Sequence, residues 1–245
     1  MQPAAVCDFT YTVPSVLVAI DAKRITLDRL IFFLPPYNLD VFQQRAALVQ
    51  WYYQDVPVAN QPMMMAFDGA NVWVTDTSFD KVTKVRASDG RILNSITLSS
   101  GTRGVAFDGA NIWVALKNSN SIAQIRASDA TVLATYPLAA SPENVAFDGN
   151  NIWVTETIAR SVQVMSAADG STLGTYSVPN FPGPIAFDGK HMWVGSADAV
   201  RKLRISDGTI LATYPVSYQA NGLAFDGANM WVSVPYANVV RRLPN

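Results

Sequence analysis

Five copies of one ten-residue string divide this chain: AFDGANVWVT from Ala66, AFDGANIWVA from Ala106, AFDGNNIWVT from Ala146, AFDGKHMWVG from Ala186 and AFDGANMWVS from Ala224. Their aspartates, Asp68, Asp108, Asp148, Asp188 and Asp226, follow one another by 40, 40, 40 and 38 residues. A period in that range means stacked units, each burying its apolar face only against its neighbours. The repeat therefore constrains the architecture before any single residue is interpreted.

Each unit reads as four short strands. An apolar segment ends in AFD, and an Asp-Gly turn follows whose glycine accepts positive φ. The second strand, NVWVT or NIWVT, alternates its side chains, with Trp73 and Thr75 on one face and Val72 and Val74 on the other. A polar loop leads to a third strand such as Lys81 to Arg86, then to an SDG turn at Ser88 to Gly90 and Ser206 to Gly208, then to a fourth strand such as TVLATYPL or TILATYPV. Four antiparallel strands in about 40 residues make one blade of a β-propeller. The β-branched, turn-dense pattern excludes helical solenoids of similar period.

From Ala224 the chain holds strands one to three and no fourth, which leaves an open edge. TYTVP at Thr10 to Pro14 matches TYSVP at Thr175 to Pro179 in four of five positions, so residues 8–14 are expected to supply the missing strand. VAIDAKRITL from Val18 aligns with VAFDGANIWV from Val105, which makes residues 15–58 a degenerate first blade with Gln54 to Val58 as its outer strand. On this reading six blades form one domain over residues 1–245: the degenerate blade, four regular blades over 62–219 and a last blade over 220–245. The alternative is five blades, with an N-terminal arm that includes a helix from Asn38 to Tyr53 and with WYYQDVPV closing the ring.

A chain of 245 residues with 49% hydrophobic residues can bury a large core. Net charge is −1, with 18 basic residues scattered over the blades, so no basic stripe favours nucleic acid. LIFFLPP at Leu30 to Pro36 is too short to span a membrane, and the start lacks the form of a secretory signal, so a cytoplasmic or particle-associated protein is expected. Cys7 is the single cysteine, which excludes an intrachain disulfide.

Most residues with chemical potential repeat with the blades, and that points to structure. Asp68, Asp108, Asp148, Asp188 and Asp226 belong to the first turn, and Asp89, Asp129, Asp169 and Asp207 to the second. Trp73, Trp113, Trp153, Trp193 and Trp231 share one strand position and are expected between blades. His191, the sole histidine, replaces an Asn of the turn. No catalytic residue, metal ligand or cofactor site is assigned. The loops after strands two and four vary and share one face, so that face is the expected partner surface, with Asp76, Phe79, Asp80, Arg103, Asn118, Glu143, Glu156, Arg160, Asn221 and Tyr236 as candidates and Phe181 in the same loops. Ile31, Phe32, Phe33, Pro35 and Tyr37 form a second, assembly-type patch within residues 28–45, suited to a partner or a second copy.

The combination AFDGxNIWV, SDG and TYPV resembles bacterial propellers of the NHL, YVTN and streptogramin-lyase-like group, well over Gln61 to Asn245 and weakly over residues 8 to 58. That resemblance implies the propeller fold. For lyase-like members it also implies catalytic His and Glu groups with a divalent metal, whereas this chain holds only His191, Glu143 and Glu156 of those types and no second histidine to complete such a site. The expected function is non-enzymatic: a recognition or assembly module that binds a protein or glycan through the variable face, with a component of a larger particle such as a virion or tail appendage as a variant. The alternative is a lyase- or hydrolase-like enzyme using Asp76, Arg103, Glu143 and Glu156 at the channel mouth.

Overall fold

In a computed structural model that describes residues 55–58, 60–99 and 101–244, every repeat becomes one antiparallel sheet. Blade 1 holds β1 (Pro62–Phe67), β2 (Asn71–Asp76), β3 (Lys81–Arg86) and β4 (Ile92–Thr97). Blade 2 holds β5 (Thr102–Phe107), β6 (Asn111–Leu116), β7 (Ser121–Arg126) and β8 (Val132–Pro137). Blade 3 follows with β9 (Pro142–Phe147), β10 (Asn151–Glu156), β11 (Ser161–Ser166) and β12 (Thr172–Ser177). Blade 4 contains β13 (Ile185–Phe187), β14 (His191–Gly195), β15 (Ala199–Arg204) and β16 (Ile210–Pro215), and blade 5 stops at three strands, β17 (Gly222–Phe225), β18 (Met230–Val234) and β19 (Val239–Leu243). Helix among the described residues is limited to single 3-10 turns at Lys117–Ser119 and Pro235–Ala237.

The first turn explains why the string AFDGxNxW recurs. Asp68 Oδ1 accepts the N–H groups of Ala70 (2.9 Å) and Asn71 (2.7 Å), which fixes the turn, while Oδ2 accepts the indole N–H of Trp73 at 2.8 Å. The same Asp-to-Trp bond, 2.7 Å long, recurs at Trp113, Trp153, Trp193 and Trp231. One carboxylate thus closes the hairpin and satisfies the only polar atom of a large buried ring, which would otherwise be costly to desolvate. The glycine between them has φ near +95° at Gly69, a conformation other residues rarely adopt.

Packing between blades follows from strand alternation. Trp73 and Val82 of blade 1 lie against Ile112, Val114 and Leu116 of blade 2, and Trp113 and Ile122 lie against Ile152, Val154 and Met165 of blade 3. Trp153 then meets Met192 and Val194, and Trp193 meets Met230 and Val232. The Trp face of each blade is covered by the Val/Ile/Met face of the next. Nearest the centre, first strands run so close that a Cβ on Gly104 would stand 2.5 Å from the Cα of Asn144.

Five blades are thus present among the described residues, the number in the five-blade alternative. The closing strand 8–14, the bulk of the degenerate blade 15–58, the helix from Asn38 and the patch at Ile31, Phe32, Phe33, Pro35 and Tyr37 lie outside the described residues. One expectation requires correction: Asp55–Val58 have no strand structure, so neither Gln54 to Val58 as an outer strand nor WYYQDVPV as a closing strand is realised in those residues. Pro57 has no N–H to contribute to a ladder there.

The single 38-residue interval has a local cause. In blades 1 to 3 the second and third strands are joined by four residues, as at Thr77–Asp80 between the paired Asp76 and Lys81. In blade 4 the ladder continues one step past Gly195↔Val200, through the bond from Ser196 N to Ala199 O (2.9 Å), and closes on Ala197 and Asp198 alone. The turn between the second and third strands is therefore two residues shorter at blade 4.

Candidate functional site

The loops after strands two and four meet at one end of the blades and are tied together by a repeated backbone hub. Asp80, Asn120 and Arg160 adopt left-handed φ values of 53°, 46° and 56°, and their carbonyls accept the N–H groups of Leu98, Leu138 and Val178, where the fourth strand ends. The left-handed region suits Asp and Asn better than other non-glycine residues. The side chain then reaches onward: Asp80 Oδ1 accepts Gly101 N at 2.5 Å, and Asn120 Oδ1 accepts Ser141 N at 2.7 Å. Arg160 occupies this position without capping the next loop and instead stacks its guanidinium over Phe181 at 4.9 Å.

The carboxylates expected to contact a partner are spent inside the fold. Asp76 is buried; Oδ1 accepts Ser78 N and Phe79 N, and Oδ2 accepts Gln61 N. Burial pushes its carboxyl up, but the donated N–H bonds, led by Phe79 and Ser78, outweigh this and hold it below the ordinary carboxylate value. Glu156, at the matching strand position, is fully buried and clamps blade 3 to the end of blade 2 through Ala139 N (2.9 Å) and Ala140 N (3.1 Å), with Ser161 Oγ as a third donor. Glu143 pairs with Lys117 at 2.6 Å. Arg103 reaches Met63 Sδ at 3.1 Å, and its buried Nε has no partner. Asp76, Arg103, Glu143 and Glu156 therefore each bond to groups outside the set of four. Asn118 packs its side chain beside Gly101, and Asn221 donates its N–H to Ser233 O.

The loop face exposes apolar and aromatic side chains. Phe79, Ile158, Phe181, Tyr218 and Tyr236 are all exposed there, Tyr236 to 76%. Lys81 lies 5.6 Å from the Phe79 ring, and the rings of Tyr218 and Tyr236 are 6.2 Å apart. Asp198, within the shortened turn, is gripped by Arg201 through both oxygens, with Asn180 and Ser196 also donating; these bonds, Arg201 foremost, hold its carboxyl down at about 2 against a smaller opposing effect of burial. Ile158 and Tyr218 are absent from the sequence-derived candidates. Their signal was weak because each appears once, in a loop without periodicity.

A cleft of about 610 Å³ opens between blades 1 and 2, lined by first-turn and second-turn residues including Asp68, Asn71, Phe107 and Arg126, with Lys84 on its floor. Elsewhere a tyrosine of the fourth strand stacks on the Trp of its own blade, as in Trp113–Tyr136 at 5.7 Å and Trp193–Tyr214 at 5.4 Å. Blade 1 carries Ile96 at that position, and Lys84 covers the Trp73 ring instead, at 5.2 Å, while donating to Ala127 O at 2.6 Å. The cleft's charged groups are internally paired: Asp68 with the Trp73 indole, Lys84 with carbonyls, Arg126 with Asp129. It is the packing consequence of one missing ring.

Among the described residues no three His, Cys, Asp or Glu side chains are grouped to hold a metal ion, and no helix is long and apolar enough to cross a membrane. His191 lies 3.4 Å from Asp188, the aspartate of its own turn. No protein-family model matches the sequence, and no curated protein matches it. Among solved structures, hydrazine synthase of Kuenenia stuttgartiensis is similar at a TM-score of 0.61 with 18% identity, over 74% of this chain and 56% of that one. This chain thus spans little more than half of that protein chain. Likeness at this identity shows the β-propeller fold alone.

Proposed function

We propose that this protein is a recognition or assembly module that engages a protein or glycan through its variable-loop face. One observation carries the reading: that face commits Asp76, Glu143 and Glu156 to bonds within the fold and presents Phe79, Ile158, Phe181, Tyr218 and Tyr236 to solvent. Exposed aromatic side chains with a polar surround are the usual anchors of binding surfaces. The blade signature's resemblance to the NHL, YVTN and streptogramin-lyase-like propellers fits this reading, since a shared scaffold with divergent loops serves many partners. Docking into a larger particle, such as a virion or tail appendage, is a variant in which the same face meets a neighbouring subunit. The catalytic alternative at the channel mouth draws no support from the separate bonding of Asp76, Arg103, Glu143 and Glu156.

The test replaces Phe79, Ile158, Phe181, Tyr218 and Tyr236 together by Ser and compares this variant with the wild type in protein capture and on a glycan array, with thermal melting as control. The expected result is that a partner held by the wild type is lost while melting is retained. Identical capture by both proteins overturns the proposal.

A further inference from the structure

We infer that the notch over blade 4 is a binding site for an acidic oligosaccharide, an inference that rests on the loop-face reading and gives it a place and a ligand class. The notch exists because the turn of blade 4 is two residues shorter than those of blades 1 to 3, and its walls are fixed to it by direct bonds. On one side Ala197 N donates to Asn180 O (2.8 Å) and Asn180 Nδ2 donates to Asp198 (2.6 Å), which seats Phe181 at the rim. On the other side Ala220 N donates to Ser196 O (3.1 Å), which seats Tyr218 two residues away. Arg160 extends the first wall over Phe181, and Tyr236 extends the second beside Tyr218. A row therefore runs Arg160, Phe181, the low turn, Tyr218, Tyr236, each member linked to the next by a bond, a ring contact or a short stretch of chain.

The chemistry of the row selects the ligand. Its rings are separate platforms divided by a polar floor. A stable protein partner needs a contiguous patch of roughly 800 Å² on each side, whereas sugar units present alternating C–H faces and hydroxyl edges that such isolated platforms can match. The platforms are also held in advance: Asn180 and Phe181 both sit at positive φ (62° and 60°) and are locked by the bonds to the short turn, so little ordering is left to be done on binding. Charge supplies the remaining selectivity. Arg160 is exposed and forms no ion pair with a described carboxylate, while Asp198 in the floor, 45% exposed, is paired through both oxygens with the buried Arg201. A guanidinium stacked on a ring with its edge donors unused suits a sugar carboxylate.

The experiment titrates the whole protein with an oligogalacturonate hexasaccharide and with maltohexaose, a neutral chain of equal length, and repeats both with Arg160→Gln, with Tyr218→Ala/Tyr236→Ala and with Leu173→Ala, on the exposed outer strand of blade 3, as an off-site control. The expected result is saturable binding of the uronate chain that weakens with salt, falls about tenfold in each notch variant and is unchanged in Leu173→Ala. Equal binding of both saccharides, no saccharide binding, or binding insensitive to the notch variants overturns the inference. If the five-fold Ser variant loses a partner while the notch variants keep it, the loop-face reading stands and the notch assignment falls. Preferential binding of a proline-rich peptide in the notch also overturns it. Melting curves of the variants separate lost binding from lost folding, and conservative Tyr218→Phe and Tyr236→Phe changes are expected to retain binding if the rings act as platforms.

Discussion

Equivalent residues behave differently in the middle of the blade series and at its two ends. At the second position of the third strand, Val82, Ile122, Val162 and Val200 are fully buried under the next blade, whereas Val240 in blade 5 is 66% exposed. On the first strand, Val105 and Val145 are buried by the preceding blade, whereas Met65 in blade 1 is 71% exposed. Trp231 makes the same bond to its aspartate as the other tryptophans yet is only half-buried. The hairpin is thus a local property of ten residues, while burial belongs to the neighbour. A blade supplies half of each core, which is why the repeat has meaning only in series.

The sharpest way to break this comparison is to remove the same ring from both environments. Trp153→Ala leaves a large void between blades 3 and 4 and is expected to cost about 3 to 5 kcal/mol in urea unfolding. Trp231→Ala removes a ring already half in water and is expected to cost less than half as much. Equal losses would show that something covers the blade 5 face in solution, and the comparison would then have to be redrawn around that cover.

Acid acts on the first turn of blades 1, 4 and 5. Hydrogen bonding by the Trp231 indole and by the N–H groups of Asn229 and Ala228 holds Asp226 down at about 2. At Asp68 and Asp188 burial pushes the carboxyl up, but the indole and backbone donors prevail and lower it. Because these folded values lie below the ordinary value of 3.8, the turns contribute stability that is complete above about pH 4 and lost as pH falls toward 2. The urea midpoint is therefore expected to be flat from neutrality to about pH 4 and then to drop. A midpoint unchanged down to pH 2 would separate the Asp-to-Trp bond from folding. Loss of the near-UV tryptophan signal along with the midpoint would tie the two together.

The hairpins were legible because two periodicities coincide in the sequence: strand alternation within a unit and 40 residues between units. The Asp-to-Trp bond was written there as well, in the invariant five-residue step from Asp68 to Trp73, but Asp in a turn already has a sufficient explanation and hides a second partner. The loop carboxylates misled for a geometric reason. Asp76 and Glu156 end the second strand with their side chains turned into the adjoining loops, where unpaired N–H groups draw them inward, and nothing local to the sequence distinguishes that from exposure. The interval of 38 announced a shorter unit, yet its location in Ala197 and Asp198 required the strand register.

The last contrast concerns one ring and one methyl group. At the second turn Gly170 and Gly208 have φ near +70°, and each lies flat against a tyrosine of the preceding blade, Tyr136 and Tyr176, so that a Cβ at either glycine would fall inside the ring. Ala130 occupies the same turn in blade 2 with φ +64°, and there the preceding blade supplies Ile96 in place of tyrosine. The departure from glycine at one turn and the departure from tyrosine at the facing strand are a single packing adjustment. Gly170→Ala is accordingly expected to destabilise by about 1 to 3 kcal/mol, and Tyr136→Ile in the same chain to recover part of that loss through coupling of roughly 0.5 to 1 kcal/mol. Ala130→Gly, which meets no ring and relieves a left-handed alanine, is expected to shift stability by less than ~1 kcal/mol in the favourable direction. A double-mutant cycle that gives additive values for Gly170 and Tyr136 would show that backbone conformation alone selects glycine at this turn.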